Sequence, residues 1–331
     1  GTIRMFSPPE QDRIITTYAA HAQISIVENG LDVGTIQVQH ELDLQAELRP
    51  FRNPRQDRHP LEITSYVTLR RDTPRVEIRT CIINRDGDHR LRVLFSSGIP
   101  AGTCWVAQPF AVTARQPGAK KRGPTGGPER ETMPKAEFVG ISASDHGLLV
   151  ATRGLHEYEI KPTPAGTIAI TLLRALETND SPMQSTHQSL EFNYALIPHE
   201  GTWHQAFRSA WEFCAVPRTF TFGNSSDAPQ RSLFEAPARF SIAALEPAPL
   251  MISAVKRSED GRAAIVRGYN PTGKQIIGEL STDWPIATAH LAALDETPLQ
   301  ALECTTPHLL SVPFAPYEIV TLRLRRASRT H

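Results

Sequence analysis

Apolar residues in this chain recur mostly with a period of two. In residues 61–69, Ile63, Val67 and Leu69 share one face, and Arg71-Asp72-Thr73-Pro74 follows as a turn. In residues 75–80, Val76 and Ile78 alternate with Glu77 and Arg79. Alternation of this kind dries one face of a strand and wets the other, so the two runs predict an antiparallel hairpin. Residues 91–95, 147–152, 166–173 and 190–197 continue the series. Short strands separated by turn chemistry predict an all-β sandwich.

One segment breaks the period. Trp203, Phe207, Ala210, Trp211 and Cys214 recur at helical spacing, which predicts a helix over residues 202–215, capped by Thr202 and stopped by Pro217. The aromatic stripe reads as the face the helix turns toward the core. A second strand series occupies residues 251–255, 263–269, 275–280, 309–312 and 319–324, with Asn270-Pro271-Thr272-Gly273 as a turn between two members. It predicts a small β-sandwich of about 80 residues. Residues 116–134 read as a long loop, and the irregular stretch 222–237 as a linker region. The expected division is a large β-domain over 1–245 and a small C-terminal sandwich over 246–331.

A length of 331 residues suits two domains and a sizeable core. Lys+Arg and Asp+Glu both number 35, so the net charge is zero, and no electrostatic ground exists for binding nucleic acid or an anionic membrane. No apolar run approaches the ~18 residues of a membrane span. Cys81, Cys104, Cys214 and Cys304 lack the short spacing of a zinc ribbon or redox pair and read as small buried hydrophobes. No signal peptide opens the chain, and Gly1 stands where a Met would, as in a trimmed chain. A reduced, cytoplasmic setting is the expectation.

The 12 histidines form no His-x-His and no His-Glu-x-x-His. Asp88 and His89 are neighbours, and neighbours on a strand point to opposite faces, so they do not chelate one ion. Gly-x-Ser-x-Gly, Gly-x-Gly-x-x-Gly and the P-loop are absent. Glu157, Glu159, Asp180, Glu191 and Glu200 remain candidates for paired carboxylates, whose partners can lie far apart in sequence. Arg174 stands out. It ends a strand whose preceding residues are all apolar or Thr, so it needs a partner or an edge. It reads either as a substrate contact or as a structural salt bridge inside the sandwich.

Several segments, in this order, carry a resemblance. They are Met5-Phe6-Ser7-Pro8-Pro9-Glu10, Asp88-His89-Arg90-Leu91-Arg92-Val93-Leu94-Phe95, the run from Gly166 to Arg174, the run from Glu191 to His199, Arg267-Gly268-Tyr269-Asn270-Pro271, and the run from Pro316 to Leu322. Over nearly the whole chain they resemble the C-terminal β-region of glycoside hydrolase family 38, the α-mannosidases. The resemblance implies a large galactose-mutarotase-like supersandwich followed by a small β-sandwich, to which the periodicity adds one short helix. It implies no catalytic residue here, because the family's zinc and nucleophile sit in an N-terminal barrel that this chain is expected to lack. No metal or cofactor is then expected in this chain, and zinc only in the barrel. Residues 150–158 resemble the family's loop leading into an arginine-bearing strand. That implies Arg174, with Arg153 and Tyr158, as substrate-binding residues for a mannose-type carbohydrate. Family members often carry two consecutive arginines, whereas Ala175 follows Arg174 here.

The function implied is a non-catalytic β-region that packs on the catalytic barrel of the same protein and lines the sugar pocket. Two alternatives are a stand-alone carbohydrate-binding or assembly module, which needs an exposed aromatic platform, and a mutarotase-like sugar enzyme, which needs a histidine and a glutamate in one cleft. A β-region without its barrel is also expected to bear an apolar face, with Arg174 on or near it, buried most simply in a two-fold homodimer.

Overall fold

The structure, a computed structural model, describes residues 14–42, 60–84, 89–100, 103–117, 132–175, 189–217 and 240–327. The segment Met5 to Glu10, Asp88, Asp180, most of the expected loop and the whole linker region lie outside them. The chain forms two compact units, Gly1–Gln108 with Thr113–Ala215, and Pro109–Val112 with Val216–His331.

The first unit opens with a 3-10 turn, Thr17–Ala19. Its strands begin with β1 (Ala22–Asn29), β2 (Val33–Leu42), β3 (Leu61–Arg70), β4 (Val76–Ile83), β5 (His89–Ser96) and β6 (Cys104–Gln108). They continue with β7 (Ala111–Arg115), β8 (Met133–Pro134), β9 (Phe138–Ser142), β10 (His146–Arg153), β11 (Glu157–Lys161), β12 (Thr167–Ala175) and β13 (Ser189–Glu200). Nine of them make one sheet in the order β1-β2-β3-β4-β13-β10-β9-β6-β7, and four make a second, β5-β12-β11-β8. Every strand pairing resolved between them is antiparallel.

The two sheets share one core. Val106, Val139, Ile141, Val150 and Tyr194 from the large sheet meet Tyr158, Ile160, Ile168 and Ile170 from the small one. The other face of the large sheet is covered at its centre by α1 (His204–Cys214), which buries Ala206, Phe207, Ser209, Ala210 and Phe213. Phe138 on β9 lies edge-on to Phe207, centroids 6.0 Å apart, and Trp203 packs against Trp105 at 6.0 Å. Central strands buried on both faces have no polar face to show, which explains the unbroken run Leu148-Leu149-Val150-Ala151 in β10.

Among the described residues the second unit holds eight strands. They are β14 (Ala243–Glu246), β15 (Met251–Arg257), β16 (Ala264–Tyr269), β17 (Ile276–Thr282), β18 (Ile286–Ala292), β19 (Pro298–Leu302), β20 (Leu309–Phe314) and β21 (Ile319–Arg326). A three-stranded sheet, β14-β17-β20, faces a five-stranded one, β15-β16-β21-β18-β19. Leu245, Leu280, Leu310 and Phe314 from the first meet Val266, Ile286, Leu322 and Leu324 from the second. The turn expected at 270–273 joins β16 to β17. Asn270, fully buried, donates through Nδ2 to Lys274 O (2.7 Å) and Ala315 O (2.9 Å), while its Oδ1 accepts from Thr272 N at 3.0 Å.

Among the described residues the protein is therefore all-β with one short α-helix, as the periodicity predicts. Some local expectations differ. The helix starts at His204, and Thr202 does not cap it; its Oγ1 bonds His204 Nδ1 at 2.9 Å instead. Trp211 and Cys214 are only half-buried, because Ala206 and Phe213 turn inward in their place. Residues 150–158, expected as a loop, are the end of β10, a short turn and the start of β11. The expected domain boundary at 245/246 falls within β14, which pairs with β17 of the second unit.

Gly140 marks the tightest approach in the large sheet. A Cβ there would lie 2.1 Å from Leu149 Cδ2 and 2.7 Å from the Leu148 carbonyl oxygen. Main chain cannot yield as a side-chain tip does. Gly140→Ala is expected to destabilise the protein by about 2 kcal/mol, read as a lower urea midpoint at unchanged slope.

Candidate functional site

The outer face of the small sheet carries a charged network. Residues facing the shared core alternate along each strand: Val93 and Phe95 on β5, Ile168 and Ile170 on β12, Tyr158 and Ile160 on β11. Period two then sends Arg90 and Arg92, Thr171, and Glu157 and Glu159 to the opposite face. Arg174 lies three residues after Thr171 and would face the core in a regular strand. A bulge between Thr171 and Leu173 shifts the phase by one, so Arg174 falls opposite Arg90 on the charged face.

Arg174 Nη2 donates to Glu157 Oε1 at 2.6 Å, and Thr171 Oγ1 donates to the same oxygen at 3.0 Å. Arg90 Nη1 lies 4.0 Å from it. Arg92 Nη2 donates to Glu159 Oε2 at 2.5 Å. Arg174 Nη2 also reaches Thr132 Oγ1 at 3.3 Å. The five charged side chains are only 9–14% exposed. Burial and the like charge of Arg92 push the Arg90 guanidinium below its ordinary pKa. Arg174 has thus found its partner inside the protein. The network holds an oriented guanidinium row rather than a solvated patch.

Arg153 and Tyr158 do not join it. Arg153 Nε donates to the Phe213 carbonyl at 2.7 Å, and its guanidinium lies 4.4 Å from the Phe213 ring centre, so it clamps the end of α1 to β10. Tyr158 is 3% exposed in the shared core, next to Cys104 and within 3.4 Å of Arg115 Nη1; burial pushes its phenol up to about 12. Arg92 and Thr171 were not singled out from the sequence, although Arg90-x-Arg92 and Glu157-x-Glu159 are opposite charges at strand period and signal a shared face.

Beside the α1 clamp sits a second buried ionisable group. Lys135 is 4% exposed and donates to Leu155 O at 2.7 Å and to Thr152 Oγ1. Burial pushes its ammonium down to about 7, opposed by Glu137. Burial raises the Glu137 carboxyl, and burial with the Glu137 charge raises the Cys214 thiol to about 11. That thiol stays protonated and is no nucleophile.

A cleft of about 430 Å³ is lined by Ser97, His146, Gly147, His199 and Glu200 among others. It is where a histidine and a glutamate share a wall. His199 gives Nδ1 to the Glu200 carbonyl at 3.1 Å, its Nε2 is covered, and burial lowers its pKa. His146 gives Nδ1 to Asp145 at 2.8 Å. Among the described residues no three His, Cys, Asp or Glu side chains gather as a metal site. No helix among them is long and apolar enough to cross a membrane.

The sequence profile of the glycosyl hydrolases family 38 C-terminal β-sandwich domain matches residues 249–322. Those residues, in the second unit, are similar to that family's C-terminal domain. A Halalkalibacterium halodurans protein provisionally named a mannosylglycerate hydrolase is 24% identical over 352 aligned positions, which cover 98% of this chain and 37% of that protein. The crystal structure of an α-mannosidase from Enterococcus faecalis V583 superposes with TM-score 0.72 at 25% identity, covering 96% of this chain and 36% of the other. A second Enterococcus faecalis structure, described as a protein of glycosyl hydrolase family 38, gives 0.72 at 24% identity over 96% of this chain and 38% of its own. The chain spans little more than a third of the length of the relatives it matches.

Lys135 yields a sign-definite test. Its folded pKa lies below the 10.5 of the free side chain. Between those values the unfolded chain binds a proton that the folded one does not, so this group makes stability rise with pH and costs stability below about pH 7. Lys135→Met is expected to remove that slope, about 1.4 kcal/mol per pH unit at its steepest. The check is the difference in urea stability between the parent and the variant from pH 7 to pH 10, which should shrink as pH rises.

Proposed function

We propose that this chain is the non-catalytic β-region of an α-mannosidase-like glycoside hydrolase, packing on a catalytic domain of the same protein and lining one side of its sugar pocket. The observation that carries this reading is the likeness running through 96% of the chain while covering only 36% of an α-mannosidase. The chemistry fits it. Cleaving a glycoside takes an acid and a second carboxylate flanking one bond. The two glutamates of the charged network, Glu157 and Glu159, are each engaged by arginine, which suits them to orienting rather than to transferring protons. A guanidinium fixed by a carboxylate is a rigid donor for sugar hydroxyls, or for a carboxylate on the aglycone such as the relative's name implies. Zinc, where present, would belong to the catalytic domain.

A stand-alone carbohydrate-binding module is disfavoured. Trp203 is buried, Trp105 packs against it, and Trp284 packs on the second core, so these offer no flat exposed platform.

Two measurements test the proposal. Residues 1–331 alone are expected not to hydrolyse an aryl α-mannoside; turnover that persists through purification and is lost in Glu157→Gln or Glu200→Gln would overturn the reading. In the complete gene product, Arg174→Met is expected to lower kcat/KM by on the order of tenfold to a hundredfold, the worth of one charge-assisted hydrogen bond. Unchanged kcat/KM in a folded Arg174→Met protein would reduce Arg174 to a structural ion pair.

A further inference from the structure

The nine-stranded sheet ends on β1, and among the described residues nothing pairs with the outer edge of that strand. An open edge is a template for another strand, and proteins normally blunt it with charge, proline or a cover. Here residues 22–26 read Ala-Gln-Ile-Ser-Ile, with no charge and no proline, and pair regularly with β2. A bulge follows between Ile26 and Glu28. The large sheet's core-facing side also overhangs its cover at this end. Ile24 pairs with Val38, Ile26 with Ile36, and Ile36 with Val67, whose strand carries Leu69 two residues on, all on one face. Ile24 is 67% exposed, Ile26 71%, Ile36 39% and Leu69 57%. Arg174 lies in the other sheet and is not part of this face.

We infer that β1 pairs antiparallel with β1 of a second copy of this chain, across a two-fold axis perpendicular to the sheet at Ile24. Such an axis keeps both copies' aliphatic faces on one side and sets residues of equal parity opposite each other. With Ile24 opposite itself, Ala22 faces Ile26 and Gln23 faces Ser25. The whole regular stretch is used, the bulge lies just outside it, and no like charges meet. The two aliphatic stripes become one. Each copy brings roughly 400 Å² of exposed aliphatic side chain, the size of the largest apolar patch on a typical monomer and often a functional one, and the paired main chain adds to it toward the ~800 Å² per partner of a standard interface.

The test uses residues 1–331. Light scattering across a concentration series is expected to give twice the chain mass for the parent. Ile24→Lys with Ile26→Lys, both at exposed positions, is expected to halve that mass with unchanged far-UV circular dichroism. Ile24→Cys, self-opposed at the axis, is expected to form an intermolecular disulfide under mild oxidation that the parent's own cysteines do not form. A parent that stays monomeric overturns the inference and leaves the face to another occupant, such as further polypeptide of the same protein; the proposed function would be untouched. A dimer that persists in the double lysine variant, or an Ile24→Cys dimer that does not cross-link, overturns it equally.

Discussion

The main chain of β9 and β10 is approached closely from both sides, and most of the first unit is arranged around that constraint. Val139, Ile141 and Val150 fill the space toward the small sheet. Phe138 fills the space toward α1, and Gly140 leaves no room beside Leu149. A sheet covered on both faces cannot accept a polar residue at these positions, so polarity must be placed at strand ends, on the far face of the small sheet or on the overhanging end. The Arg153 clamp on Phe213 and the buried Lys135 both sit where β10 ends, at the rim of the doubly buried zone.

The architecture was legible because a sandwich writes itself in period two. The hairpin at 61–80, the strand series on either side and the turn at 270–273 all show that pattern. The pattern fails where its physical premise fails. β10 is apolar from Leu148 to Ala151 because neither face is wet there, and β6, β7, β18 and β19 each carry alanine, which weakens the contrast that alternation depends on. The helix was visible from its aromatic spacing, but not which stripe faces inward, since Trp211 and Phe213 are equally apolar and only the sheet beneath decides between them.

The site was less legible. Arg174 attracted attention as a cation after an apolar run, and the structure supplies the partner that reasoning demanded. Its face could not be read. A regular strand would have set it with Ile168 and Ile170, and one extra residue in the bulge moves it across the sheet. Arg153 and Tyr158 are close to Arg174 in the resemblance but do not share its face of the sheet: one faces the helix, the other the core. A linear motif cannot separate residues that share a segment and diverge by strand parity.

The charged face also bears on why such a network is kept at all. Five ionised side chains at about a tenth exposure are costly to desolvate, and apolar residues of similar size at these positions would serve stability as well or better. Once one partner is present the others are required, because an unpaired buried charge costs more than the pair returns. Stability alone therefore accounts for the pairing but not for the presence of the charges. What the arrangement supplies that leucines would not is direction. Glu157 Oε1, taking hydrogen bonds from Arg174 and Thr171 together, fixes one edge of the guanidinium. The planar group is thereby held in one orientation, and a held donor loses less entropy when it meets a hydroxyl or carboxylate than a free one does.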